Sequence, residues 1–139
     1  MRVSQLMSIN VHIATPETTV REAAQLMADK DIGALPVLDG GRLLGIVTDR
    51  DIAVRVVAKG LSSGALVNEA MSRDVHFCRP DDDIEHAADG MARKRIRRLP
   101  VVDEGGRLLG IVALGDIARE DKPKRTGETL SKISEPGRK

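Results

Sequence analysis

The run Gly45-Ile46-Val47-Thr48-Asp49-Arg50-Asp51 concentrates the residue types that could do chemistry in this chain. An apolar stretch that ends on a hydroxyl and passes into acidic residues reads as a strand entering the first turn of a helix. Such a junction presents N–H groups and the positive end of the helix dipole toward an anion. Thr48 adds a hydroxyl donor there. Asp51, one turn in, can accept two hydrogen bonds from a vicinal diol. These groups could meet an anion and a diol, and without a ligand Thr48 and Asp49 read simply as helix caps. A second run, Gly110-Ile111-Val112-Ala113-Leu114-Gly115-Asp116, keeps the acid but puts Ala113 where the hydroxyl stood. It should hold phosphate less well. Arg97 and Arg98 offer bidentate donors for phosphate oxygens, whereas Arg93, Lys94 and Arg95 finish a helix, where cations complement the dipole.

Other chemistries find little support. His12 and His76 echo each other on alternating strand positions, His86 reads as a surface helix residue, and no Cys/His cluster exists to hold a transition metal. Cys78 is the single cysteine, so no intrachain disulfide can form, and it aligns with Ala14 as a small packing residue. No nucleophile is paired with a base and no nucleotide-hydrolysis motif is present, so no enzyme is expected. Phe77 is the only aromatic residue, which leaves no platform for stacking bases. With 22 basic and 21 acidic side chains the net charge is +1, which names no partner. No apolar run approaches the roughly 18 residues of a membrane span, and Met1 to Met7 lack a signal-peptide layout, so the expectation is a cytoplasmic protein with no membrane partner.

The elements that must position these residues come twice. Met7-Ser8, Val11-His12 and Pro16 recur as Met71-Ser72, Val75-His76 and Pro80. Ala23-Ala24, Met27 and Lys30 recur as Ala87-Ala88, Met91 and Lys94, and Leu35-Pro36-Val37 recurs as Leu99-Pro100-Val101. After a one-residue insertion, Arg42 to Val47 returns as Arg107 to Val112. The two halves therefore share one fold. Each copy reads as strand, helix, strand, strand, helix. In the first helix Val20, Ala23, Ala24 and Met27 form a core stripe, with Thr19 and Glu22 at capping-box spacing, and Ile84, Ala87, Ala88 and Met91 repeat it. Asp39-Gly40-Gly41-Arg42 reads as a hairpin turn. A second helix follows Thr48, with Ile52, Ala53, Val56 and Val57 inward and Gly60 ending it. Asp81-Asp82-Asp83 opens a helix as a cap. The expected division is a first repeat over 1–60, a linker over 61–66, a second repeat over 67–120 and a polar, basic, disordered tail over 121–139. A unit of about 60 residues is marginal alone, so the copies should pack together and leave clefts between them.

With Ile32-Gly33-Ala34-Leu35-Pro36-Val37 upstream of the Gly45 to Asp51 run, and with the duplication, the chain resembles a pair of CBS domains. These repeats are named after cystathionine β-synthase, and the tandem form, here of the stand-alone bacterial type, is called a Bateman module. The resemblance covers about residues 3 to 120 and leaves only the tail outside. It implies an α+β fold of two β-α-β-β-α repeats, packed sheet to sheet with pseudo-twofold symmetry. It also implies adenosine compounds in the inter-repeat clefts, with the Asp on ribose and the Thr on phosphate. By that resemblance the stronger site takes Thr48, Arg50 and Asp51 with Arg79, Ile96, Arg97, Arg98, Leu99 and Pro100. The weaker takes Asp116 with Thr15, Ile32, Gly33, Ala34 and Pro36.

The expected function is an adenine-nucleotide sensor, with AMP, ADP, ATP or a related adenosine compound as regulatory ligand and AMP favoured. No cofactor is required. The module should assemble as a homodimer and act on a protein partner that the sequence does not identify. The alternative is a nucleic-acid or protein-interaction module built on Arg93 to Arg98 and the basic tail.

Overall fold

The computed structural model describes residues 1–120, so the tail expected over 121–139 lies outside the described residues. The chain forms two compact units. Residues 12–75 make one, and residues 1–11 join the chain from 76 onward to make the other. The units are thus offset from the sequence repeats, because the short segment leading into each repeat packs into the other unit.

In the unit of residues 12–75, helix α1 (Val20–Lys30) starts where Thr19 closes a capping box. The Glu22 amide donates to Thr19 Oγ1 at 3.1 Å and the Thr19 amide to Glu22 Oε1 at 3.1 Å. Those Thr19 donors, backbone first and then hydroxyl, hold the Glu22 carboxyl below its usual range. The helix stops at Asp31, whose left-handed φ of 53° turns its amide back to Met27. Strands β1 (Ala34–Asp39) and β2 (Arg42–Thr48) pair antiparallel from Ala34↔Thr48 to Asp39↔Arg42, with a bulge after Val37. Gly40 and Gly41 sit at φ of 60° and 84°, the two positive angles a tight hairpin with native twist needs. Helix α2 (Asp49–Ile52) runs on as a π turn over Ala53–Val57, closed by the Ala58 amide to the Ala53 carbonyl at 2.9 Å. Helix α3 (Val67–Ala70) completes the unit. The expected linker is bonded to α1: the Val20 amide donates to Ala65 and the Arg21 amide to Ser63.

The other unit repeats this plan. A 3₁₀ turn over Val3–Gln5 is held by the Val3 amide to the Asp82 carbonyl at 2.8 Å. Helix α4 (Ile84–Lys94), capped by Asp83, ends at Arg95 with φ 56°, the counterpart of Asp31. Strands β3 (Arg98–Val102) and β4 (Leu108–Ala113) pair antiparallel with a bulge after Val101. Helix α5 (Leu114–Glu120) follows. One core gathers Val20, Ala23, Met27, Leu35, Val37, Val47, Val56 and Val67, and the other Val3, Ile84, Ala87, Met91, Leu99, Val101, Val112 and Ile117.

Three expectations are corrected. The leading strand of each copy is only a one-residue parallel bridge. The Ala14 amide donates to Pro36 and its carbonyl accepts from Leu38, both at 2.9 Å, and Cys78 does the same with Pro100 and Val102. Pro16 and Pro80, two residues on, have no N–H with which to continue a ladder. Second, Ala53 and Val57 are exposed and only Val56 of the π turn is buried, because the wider turn moves side chains off the α-helical stripe. Third, Ala24 is exposed whereas its counterpart Ala88 is buried. Ala24 lines a groove of about 400 Å³ with Val20, Ala28, Ile52, Val56 and Val57.

Cys78 is buried, its Sγ 3.8 Å from the Pro100 carbonyl. Burial, and then the Asp82 charge, push the thiol from 9.0 up to about 12. A raised folded value contributes stability that is fully present below pH 9.0 and lost as pH rises toward about 12. Alkaline melts should therefore show a loss on the order of 2 kcal/mol in that window, a limb absent from Cys78→Ala. Identical alkaline limbs in both proteins would contradict the assignment. Ala14, at the matching bridge, shows that alanine fits the position.

Candidate functional site

The candidate site grows from the β2–α2 junction. Thr48 is extended, with φ −115° and ψ 163°, and it, rather than Asp49, is the N-cap of α2. The Asp51 amide donates to Thr48 Oγ1 at 3.0 Å and the Thr48 amide to Asp51 Oδ2 at 2.9 Å. This reciprocal box closes the cap and leaves hydrogen-bonding capacity on both side chains. A hydroxyl that accepts one bond still has its hydrogen to give, and an ionised carboxylate accepts up to about four bonds. Asp51 is half-buried, and its Oδ1 faces the Arg55 guanidinium at 3.8 Å.

The amides of this turn differ from expectation. The Asp49 N–H donates to the Gly33 carbonyl at 3.0 Å, the Arg50 N–H to Asp49 Oδ1 at 2.8 Å and the Asp51 N–H to Thr48 Oγ1. Their hydrogens are committed, and the Asp49 carboxylate already occupies the positive end of the turn. An anion here must be held by side chains. The Asp49–Gly33 bond also explains a small residue at Gly33, where a Cβ would lie 3.2 Å from Asp49 Oδ2.

The matching junction between β4 and α5 keeps half of this. The Ala113 amide donates to Asp116 Oδ2 at 3.2 Å, and Oδ1 pairs with Arg119. The Leu114 amide donates to the Arg97 carbonyl at 2.8 Å, the equivalent of the Asp49–Gly33 bond. The Ala113 side chain has no hydroxyl to donate or accept, and Leu114 removes the carboxylate that Asp49 contributes.

The remaining predicted residues divide between the units. Thr48, Arg50 and Asp51 share residues 12–75 with Thr15, Ile32, Gly33, Ala34 and Pro36, and Ala34 pairs directly with Thr48 across the hairpin. Thr15 is exposed and bonded to Thr18. Ile32 is half-buried, while Pro36 is buried. Arg79, Ile96, Arg97, Arg98, Leu99, Pro100 and Asp116 belong to the other unit. There Arg97 and Arg98 are exposed, Ile96 is half-buried, and the Leu99 and Pro100 side chains are buried. Arg79 is engaged locally: its guanidinium donates to the Asp103 carbonyl and lies 5.3 Å from the centre of the Phe77 ring. Two features escaped sequence reasoning. Arg55 carried no local signal. Gly45 lets the Ser72 backbone come close, since a Cβ there would meet its carbonyl oxygen at 2.5 Å, and the signal for it was a glycine inside an apolar strand.

Among the described residues no group of three or more His, Cys, Asp or Glu could hold a metal, and no helix is long and apolar enough to cross a membrane. The family model described as "CBS domain" matches residues 3–58 and again 67–122. The chain belongs to the CBS-domain family. It is 41% identical over 133 residues to CBS domain-containing protein YhcV of Bacillus subtilis, covering 95% of this chain and 94% of that one. Among solved CBS structures, CBSX2 in complex with AMP matches with TM-score 0.76 at 31% identity, covering 86% of this chain and 94% of that one. The CBS domain pair of protein MJ0100, in complex with 5′-methylthioadenosine and S-adenosyl-L-methionine, matches with TM-score 0.74 at 31% identity and the same coverages. The duplication seen in the sequence is thus two CBS domains in tandem, and the hairpins that end at Thr48 and Ala113 are equivalent parts of them.

Proposed function

We propose that this CBS pair is a regulatory module that binds an adenine nucleotide and acts on a partner protein through a ligand-dependent change of conformation. It needs no cofactor and catalyses no reaction. The observation that carries the reading is the Thr48–Asp51 pair, which holds a hydroxyl donor and a half-buried carboxylate at one strand–helix junction. CBS pairs solved with AMP, and with 5′-methylthioadenosine and S-adenosylmethionine, support an adenosine compound as the ligand class. Within that class AMP is favoured. In the stronger site Asp51 accepts from the ribose hydroxyls and Thr48 donates to phosphate. Arg50 is the exposed cation of the same turn. The motif that carries Asp116 lacks the hydroxyl and forms the weaker site.

We place the module in the cytoplasm and assign it a homodimeric state. The exposed apolar groove beside Ala24, with Val57 69% exposed, is the surface that favours association. Calorimetric titration with AMP, ADP, ATP, NADH and S-adenosylmethionine tests the binding reading. At least one should bind below millimolar, and failure of all five overturns it. The exposed run Arg93, Lys94, Arg97 and Arg98 favours a second reading, nucleic-acid binding. Steeply salt-dependent binding to duplex DNA or RNA, indifferent to AMP, would decide for it.

A further inference from the structure

We infer that Arg55 is a positioning residue for Asp51, and that it separates the two copies of the motif more sharply than the Thr48/Ala113 difference alone. The inference rests on the nucleotide-binding reading above. Arg55 sits in the π turn that continues α2. Its Nη1 donates to the Ala70 carbonyl at 2.9 Å and to Ser72 Oγ at 3.2 Å, and lies 3.8 Å from Asp51 Oδ1. The Ser72 backbone is itself fixed by two bonds to Ile46, at 2.8 and 2.9 Å. One guanidinium therefore ties the end of α3 to the carboxylate at the start of α2.

The consequence for Asp51 follows from how its two oxygens are used. Oδ2 is held by the Thr48 amide at 2.9 Å, which sets the plane of the carboxylate. Among the described residues Oδ1 has only the longer Arg55 contact, so its lone pairs stay open to a diol while the guanidinium beside it fixes where that oxygen sits. The Asp51 side chain is 16% exposed and Arg55 42%, so the pair is partly shielded from solvent. Because Arg55 is braced by Ala70 and Ser72, it holds that place without collapsing onto the carboxylate.

The second copy lacks this arrangement. Glu120 stands at the position matching Arg55, and Asp116 Oδ1 is paired directly by Arg119, whose side chain is 74% exposed. There the matching oxygen already has a close donor, and among the described residues that donor has no second partner bracing it.

The test is Arg55→Met in the full chain, which keeps the stem and removes the donors. Wild type and variant are titrated with AMP and with 2′,3′-dideoxy-AMP, which lacks the diol. AMP affinity should fall about fivefold to tenfold while the dideoxy analogue changes by less than about twofold. Equal losses for both nucleotides would mean that Arg55 only supports the fold, and no loss for either would mean that it does nothing for Asp51. Both results overturn the inference. If Arg55→Met does not fold, Arg55→Lys serves instead. It keeps the cation without the planar fork and should show the same diol-selective loss, smaller in size, with equal losses again overturning the inference. Failure of the unaltered chain to bind AMP or any of the other four adenosine ligands defeats the binding reading before any variant is compared, and the inference falls with it.

Discussion

Gly45→Ala should destabilise the unit of residues 12–75 by about 3–5 kcal/mol, a large share of the roughly 5–15 kcal/mol that holds an ordinary domain. The reason is space, not backbone freedom, because Gly45 is absent from the positive-φ residues. A Cβ there would lie 2.5 Å from the Ser72 carbonyl oxygen and 3.1 Å from Met71 Sδ. The oxygen belongs to backbone bonded in both directions with Ile46. It can retreat only by opening that bridge, which adds two lost hydrogen bonds to the overpacking. Gly110→Ala meets the Ser8 carbonyl at the same 2.5 Å and should cost as much. Gly115→Ala is the control, since a Cβ there meets nothing within 4 Å. Denaturant melts should show lower midpoints for the first two at unchanged slope. If either behaves like Gly115→Ala, the two bridges do not brace the hairpins as described.

Asp51→Ala should lower affinity for the favoured nucleotide about a hundredfold, the combined worth of two hydrogen bonds to a charged acceptor. It should also cost about 1 kcal/mol of stability, because the Thr48 amide loses the oxygen it donates to. Asp51→Asn separates the two effects, since it keeps an acceptor for that amide but gives up the charge, and it should bind weakly while melting close to wild type. Asp116→Ala, at a site without the hydroxyl, should change total binding little. Calorimetry on the three variants measures this directly. Equal losses from Asp51→Ala and Asp116→Ala would defeat the ranking of the two motifs.

Legibility in the sequence followed the range of each signal. The capping box of Thr19 and Glu22 and the turn at Gly40-Gly41 are local, and both formed as expected. The doubled hairpins were visible because Leu35-Pro36-Val37 and Arg42 to Val47 recur in order. Of the two caps the sequence offered, Thr48 takes the role because Asp51 stands three residues on and completes a capping box, a local spacing, while the Asp49 amide bonds to Gly33 from across the hairpin. The π turn at Ala53–Val57 was hidden: no Gly or Pro marks it, and it was Arg55 reaching Ala70 and Ser72 that had to be seen in space. Among the site residues, Thr48 and Asp51 proved to be neighbours. The free amides expected beside them were already satisfied by Gly33, Asp49 and Thr48 itself.

The offset between repeats and units sets an order in which the chain can mature during synthesis. Residues 12–75 are contiguous, so their unit can close as soon as Val75 has emerged. The residues ahead of them cannot finish so early. Val3 must wait for Asp82, and Ser8 for Ile111, far later in the sequence. During that interval the leading segment, with Val3 and Leu6, stays uncovered while the ribosome adds about a hundred residues at roughly 5–20 per second. Strand β4, late in the described chain, is the one that captures Ser8.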